Sequence, residues 1–448
     1  MPLLPVSLSQ QRMHLRIQPR QAAVLALSAL AVLSVAACSG QYPNSTFDPT
    51  TEFNRESTSL WNTLLLWGTI VFVIVEAILI YTIWKYRRRP GVTEPANEKM
   101  LHGNTTLEIT WTILPALILA IIAVPTVRAI FRTQAPAPET ALKVDVIGHQ
   151  WWWEFRYPDY GFTTANELYL PIGRAVNFSL RTVDVIHAFW IPQLGGKRDL
   201  VSTRTNYLWF TPDSADHTVY NGSCNEYCGA SHANMRFRVF TVPNDEFERW
   251  AAHQMQPAAV QAPAPAATGT TAATGAAAPA TATPNQQSTA AQPRPPSVAA
   301  PPVQQATAYQ FPRERVPAHA VPNTPVPPGL TFPEGLVGDV ERGRAKYSTS
   351  ACIACHKING NPMSVGVTGP DLTHVGSRLT IGSGLFPNDA RHMALWIKNA
   401  RKMKPLQFSS MPTLGKGEFD PISKTVISQG GLTDQEIADI VAYLQALK

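Results

Sequence analysis

The stretch Cys224-Asn225-Glu226-Tyr227-Cys228-Gly229-Ala230-Ser231-His232-Ala233-Asn234-Met235 sets two thiols, an imidazole and a thioether within twelve residues. Soft sulfur donors select copper, zinc or iron–sulfur clusters, and a thioether favours copper. A mononuclear blue-copper site takes two His, one Cys and a weak Met. Here a second Cys is present, so both sulfurs could bridge a pair of copper ions. The second His must then come from elsewhere. His187, in Asp184-Val185-Ile186-His187-Ala188-Phe189-Trp190-Ile191-Pro192, is the candidate, at the edge of a β-branched run. Two plainer readings stand beside this one. A disulfide with a surface His leaves Met235 and Glu226 unexplained, and a zinc site is the other.

Around this stretch the chain reads as strands. Val144–Ile147, Glu167–Leu170, Val176–Leu180 and Phe237–Phe240 are rich in β-branched and aromatic residues and are punctuated by Pro and Gly. Several short strands over residues 139–250 predict a sandwich or barrel.

Upstream lie two apolar runs, Leu60–Trp84 and Leu107–Ile130, each long enough to cross a bilayer as a helix. The loop between them carries Lys85, Arg87, Arg88 and Arg89, which places it on the cytoplasmic side by the positive-inside rule. Residues 39–135 thus form a transmembrane hairpin, with everything after Ile130 outside. Glu76 within the first run is expected to face a partner subunit rather than lipid. Residues 1–38 resemble an export signal: Arg12, Arg16 and Arg20 precede an apolar run from Ala22 to Ala37. Val35-Ala36-Ala37-Cys38 resembles a lipoprotein processing box, with an incidental Cys in an ordinary signal as the alternative.

Downstream, residues 257–331 are Pro, Ala, Thr and Gln with few aromatics, a composition that reads as a flexible linker. Residues 334–448 regain helical patterning over Gly338–Tyr347, His392–Arg401 and Asp434–Leu447, the last preceded by a capping Thr433. Cys352-Ile353-Ala354-Cys355-His356 is the C-x-x-C-H pattern of covalent haem attachment, in which the thiols add to the porphyrin and His supplies an iron ligand. Residues 334–448 carry a net charge of +3 and residues 139–250 a net charge of −3, which predicts salt-sensitive docking of the two. The whole chain is basic, at +6, but holds no long Lys/Arg block and no nucleic-acid motif, so nucleic acid is excluded as a partner. The paired spacing of four of the five cysteines fits metal and haem chemistry rather than a disulfide framework.

The hairpin with Trp111-Thr112-Ile113-Leu114-Pro115, the segment Gly148-His149-Gln150-Trp151-Trp152-Trp153, the His187 segment and the Cys224–Met235 loop together resemble cytochrome c oxidase subunit II over roughly residues 50–250. The stretch from Cys352 to Gly369-Pro370-Asp371-Leu372 resembles a class I cytochrome c, and the combination resembles the caa-type oxidases. The resemblance implies a multidomain membrane protein: a two-helix transmembrane hairpin, a cupredoxin-like β-sandwich, a flexible linker and an all-α cytochrome c domain. It implies a dinuclear copper A centre on His187, Cys224, the Glu226 carbonyl, Cys228, His232 and Met235. It further implies magnesium on the Glu226 side chain, shared with subunit I. Trp151 matches the position where electrons enter. Glu108 matches a proton-channel entrance, with a solvated carboxylate favoured by the helix start as the plainer reading. Haem c would be held by Cys352, Cys355 and His356. Met411 best matches the second axial ligand, with Met403 and Met393 as alternatives. The implied partners are oxidase subunits I and III, membrane lipid, and an electron donor such as a cytochrome bc complex or a soluble cytochrome c. The implied location is the bacterial inner membrane, with copper and haem domains on the periplasmic side.

Overall fold

A computed structural model describes residues 24–26, 28–30, 32–33, 42, 44–87, 91, 103–213, 219–258, 309–405 and 411–448. Cys38, Arg88, Arg89 and most of the linker lie outside the described residues. The chain up to Ser45 forms one unit and Thr46–Lys448 another. In the first unit, the described residues from 24 to 33 are helical.

The second unit begins with helices α1 (Glu52–Tyr86) and α2 (Thr105–Thr133). Both are longer than the apolar runs that predict them, because caps extend their starts. Thr51 Oγ accepts from the Asn54 N–H, and the Asn104 side chain accepts from the Leu107 N–H. An 18-residue window has a mean hydropathy of 2.5 in α1 and 2.3 in α2, and both helices are long and apolar enough to cross a membrane. Arg132 near the end of α2 pairs with Glu56 near the start of α1 at 2.7 Å, so the hairpin is antiparallel.

Ten strands follow: β1 (Leu142–His149), β2 (Trp152–Tyr157), β3 (Phe162–Ala165), β4 (Glu167–Pro171), β5 (Val176–Thr182), β6 (His187–Trp190), β7 (Arg198–Leu200), β8 (Asn206–Phe210), β9 (Val219–Cys224) and β10 (Arg236–Val242). They form two five-stranded sheets, ordered β3-β2-β1-β5-β8 and β4-β10-β9-β6-β7. In β1, Leu142, Val144 and Val146 are fully buried while Lys143 is exposed, the period-two pattern of a strand with one face on a core. The inner faces meet through aromatics. Trp153 lies 5.7 Å from Phe189 and 5.3 Å from Phe237, and Phe189 stacks on Phe237 at 5.1 Å. Gly222 in β9 permits this, since a Cβ there would meet the Phe237 ring at 2.1 Å. Helix α3 (Asn244–Gln254) closes the sandwich with Phe247 and Trp250.

The base of the sandwich is locked to the hairpin. Thr51 Oγ1 donates to Leu194 O, the Asn54 amide to Pro192 O, and Glu52 accepts from the Thr211 N–H at 2.9 Å. Trp209 Nε1 donates to Ala135 O at 2.7 Å, just past α2.

The C-terminal region holds α4 (Val340–Thr349), a single turn α5 (Cys352–Cys355), α6 (Ala390–Met403) and α7 (Asp434–Ala446). The capping box is present: Thr433 and Glu436 satisfy each other's backbone N–H. Helices α4 and α7 cross closely over Gly338 and Gly343, where a Cβ would stand 2.0 Å and 1.8 Å from the carbonyls of Ala438 and Asp439.

The reading of residues 257–331 as a linker needs one correction at its far end. Phe311, Ala320 and Leu330 are buried, and Tyr309 donates to Glu246 at 2.6 Å. A few well-spaced apolar side chains let this Pro-rich stretch lie along the folded surface.

Candidate functional site

Strand β9 ends at Cys224 and β10 begins one residue after Met235, so the two strands carry both ends of the loop. The Cys224 N–H donates to Met235 O at 3.0 Å, and the Asn225 N–H donates to Ala188 O at 3.0 Å, tying the loop to β6 and hence to His187. The sulfurs of Cys224 and Cys228 lie 3.7 Å apart as free thiols, not at the about 2.05 Å of a disulfide. Each faces its own imidazole: His187 Nδ1 is 3.8 Å from Cys224 Sγ, and His232 Nδ1 is 3.6 Å from Cys228 Sγ. Met235 Sδ is 3.9 Å from Cys228 Sγ, and Glu226 O is 3.2 Å from Cys224 Sγ. The Glu226 side chain points outward to solvent.

Asp184 orients His187 by holding Nε2 at 2.8 Å, which leaves Nδ1 for a metal. Burial pulls this imidazole down, but Asp184 and Cys224 outweigh it and hold it above its ordinary value. Hydrogen bonding with Cys228, and then with His187, holds the Cys224 thiol down to about 3, while Cys228 is pushed up by the same sharing. Gly148 makes room for the ring, since a Cβ there would meet His187 Cδ2 at 2.7 Å. These donors fit copper. His187, Cys224 and Cys228 offer atoms within 4.8 Å of one another. Glu226 O, His232 and the fully buried Met235 thioether each lie against one of the two sulfurs, which makes more donors than the four of a tetrahedral zinc.

The aromatic triplet divides by role. Trp151 Nε1 donates to Cys228 O at 2.9 Å and Trp153 Nε1 to Met235 O at 3.3 Å, so both buried indoles touch the loop backbone. Trp152 stacks on His149 at 4.0 Å.

In the C-terminal region, His356 Nδ1 lies 2.8 Å from Pro370 O, which fixes the tautomer and leaves Nε2 for iron. Burial pulls this imidazole below its ordinary value, the neutral form a metal needs. Gly369 lets the ring lie against the backbone, since a Cβ would meet His356 Cε1 at 2.8 Å. Val365 and Val367 expose apolar surface on either side of Gly366, which lies against the backbone of the exposed Cys355. These residues fit a covalently held haem. Met411 packs on the same apolar cluster as Cys352, Ile353 and Leu372. Met403 belongs to a separate cluster with Leu330, Leu385, Phe386 and Leu395, and Met393 is buried with its sulfur 3.8 Å from Gln445 Nε2. Glu108 is exposed in the first turn of α2, far along the chain from either cluster.

Sequence reasoning missed how these regions meet. Glu167 in β4 accepts from the Leu379 and Thr380 N–H groups at 2.9 Å and from Thr380 Oγ1 at 3.0 Å. Arg238 in β10 donates to Ala320 O at 2.7 Å and Gly384 O at 3.1 Å. Ser231 donates to Pro405 O. Ser383 Oγ and Lys404 Nζ both donate to Trp151 O, at 2.8 Å and 2.5 Å. Burial pulls the Lys404 ammonium down to about 7. Only Asp184 carried a readable signal, lying three residues before a candidate ligand.

Three family models match the chain: the transmembrane domain of cytochrome c oxidase subunit II over residues 45–129, its periplasmic domain over 161–242, and cytochrome c over 340–448. Cytochrome c oxidase subunit 2 of Alkalihalophilus pseudofirmus is 28% identical over 392 residues, 85% of this chain and 83% of that protein. The Bacillus subtilis protein of the same name is 38% identical over 203 residues; the match takes in 42% of this chain and 57% of that protein, just over half its length. A probable cytochrome c oxidase subunit 2 of Rickettsia bellii is 33% identical over 217 residues, 44% of this chain and 78% of that protein.

Proposed function

This chain belongs to the cytochrome c oxidase subunit II family, and from that premise we propose that it is the electron-accepting subunit of a terminal respiratory oxidase with its own cytochrome c domain. Electrons from an outside donor are received by the cytochrome domain, handed to the copper domain and passed to the haem of subunit I. There oxygen is reduced to water and protons are translocated. When bound, haem c and copper A supply reversible one-electron redox chemistry. The protein's part is to hold both groups, exclude water and fix the distance between them.

His187, Cys224, the Glu226 carbonyl, Cys228, His232 and Met235 would hold the copper pair, and Asp184 would orient His187. The outward Glu226 carboxylate would take magnesium shared with subunit I. Cys352 and Cys355 would attach the haem, and His356 and Met411 would hold its iron. Trp151 would carry electrons toward the Cys228 backbone it touches. Glu108 would stand at a proton-channel entrance. Subunit I, with subunit III, would cover the apolar faces of α1 and α2. The donor would be a cytochrome bc complex or a soluble cytochrome c.

The chain would cross the bacterial inner membrane twice, with Lys85 and Arg87 inside and both redox domains in the periplasm. Cys38 would carry lipid at the mature N-terminus. Mass spectrometry of the mature chain should begin at an acylated Cys38, and an unmodified start elsewhere removes that part of the proposal.

One observation carries the copper reading: two free thiols 3.7 Å apart, each facing a separate imidazole. The purified complex should show the seven-line electron paramagnetic resonance pattern of a mixed-valence copper pair. A four-line spectrum, or zinc alone, sinks it.

A further inference from the structure

Trp151 is 1% exposed, Ser383 3% and Lys404 2%, although Trp151 stands 232 and 253 residues from the other two. The three form one closed polar cluster. Lys404 Nζ donates to Trp151 O and also to Ser383 Oγ at 2.9 Å, and Ser383 donates to the same Trp151 carbonyl. Ser383 has φ of 65°, the left-handed region a side chain other than glycine or asparagine seldom occupies, between Gly382 and Gly384 at 62° and 73°. Such a turn is kept where something outside it fixes the conformation. What it touches on the copper side is the Trp151 carbonyl and, through Gly384 O, the Arg238 guanidinium. The other edge of Trp151, its indole N–H, is spent on Cys228 O.

We infer that Ser383 and Lys404 are positioning residues that clamp the chain's own cytochrome domain over Trp151, so that this face of the copper domain is closed to a soluble donor. An outside donor then delivers electrons only to the cytochrome domain. The inference rests on the redox reading given under Proposed function. Its geometry stands on the contacts alone. Lys404 supplies two of its three donors to the clamp from a buried position. Reversing its charge therefore places a carboxylate against a carbonyl oxygen, and the clamp must open.

The test uses the haem- and copper-loaded complex, unmodified and as Lys404→Glu and Ser383→Ala. Hydroxyl-radical footprinting reads Trp151 directly, without turnover. Trp151 should be protected in the unmodified complex and labelled about tenfold or more faster in Lys404→Glu, with a smaller rise in Ser383→Ala. In stopped flow with reduced soluble cytochrome c, the near-infrared copper band of the unmodified complex should bleach only after the haem of the fused domain is reduced. In Lys404→Glu, copper should gain a direct phase whose rate rises with donor concentration. If Lys404→Glu loses its haem spectrum through misfolding, Ser383→Ala decides. Labelling of Trp151 in Ser383→Ala that equals the unmodified complex overturns the clamp. Ready labelling of Trp151 in the unmodified complex, with both spectra intact, also overturns it. Absence of the copper signal with Trp151 still protected instead overturns the redox reading and leaves the clamp standing.

Discussion

His253 on α3 and His374 of the C-terminal region lie ring against ring, their centroids 4.4 Å apart, and both are buried. His374 Nε2 lies 3.0 Å from its acceptor, Gln256 O, and the Lys448 backbone lies against both rings. Burial, and then His253 itself, pull His374 from 6.5 down to about 4, and burial also lowers His253. Arg378 and the C-terminal Lys448 also face the pair, and Arg378 stays charged throughout this range.

Protonating either imidazole should therefore loosen the docked cytochrome domain. Both values are depressed in the docked form, so the undocked form binds protons first as pH falls. The contribution is complete above about pH 6.5 and is lost between there and about pH 4. Each imidazole can shift the docking equilibrium by at most about tenfold per pH unit. Footprinting of the 374–384 segment across this range should show protection falling with acidity. Protection that is flat, or that rises with acidity, contradicts the assignment.

Asp184→Ala should weaken copper binding without unfolding the sandwich. His187 loses the partner that sets its tautomer, and removing such a partner costs about 10- to 100-fold in metal affinity. Copper content after dialysis against a graded chelator measures this. Unchanged retention would mean that burial alone orients the ring.

Met411→Ala should lower the haem potential and leave the haem attached, because Cys352 and Cys355 hold it covalently. Met403→Ala should leave the potential alone and cost about 2–5 kcal/mol of stability, since Met403 is 5% exposed in an apolar cluster. Redox titration and thermal unfolding separate the two, and a reversed pattern reassigns the ligand.

Gly343→Ala should destabilise the cytochrome domain by about 1–3 kcal/mol, because the new methyl meets the Asp439 carbonyl where α4 and α7 cross. Differential scanning calorimetry of the haem-loaded chain would show a lower transition for that domain alone. An unchanged transition would mean the helices separate freely.

The copper loop was legible because its chemistry is local. Cys224, Cys228, His232 and Met235 fall on one turn between two strands, and His187 starts a strand with a readable β pattern. The same holds for Cys352–His356 and for Thr433 and Glu436, whose roles depend on neighbours within four residues. The cover over Trp151 depends on side chains more than 200 residues away, and no period or motif reports such a pairing. Net charges of opposite sign pointed to a screened, salt-sensitive contact. The observed contact instead rests on Glu167, Arg238 and Lys404, each at most 5% exposed, where salt has little access.

Fixing the top of the hairpin to the 192–194 loop and to Thr211 turns helix length into a ruler. Thr51, Glu52 and Asn54 at one helix and Trp209 at the exit of the other tie the sandwich to both. One residue inserted into the exposed middle of α2 would lift its far end by about 1.5 Å and turn it by about 100°. Because α1 holds the same sandwich through Thr51, Glu52 and Asn54, the Trp209–Ala135 bond would be pulled out of place. The relative phase of the two helices, and not their composition, therefore decides whether both can hold the sandwich at once.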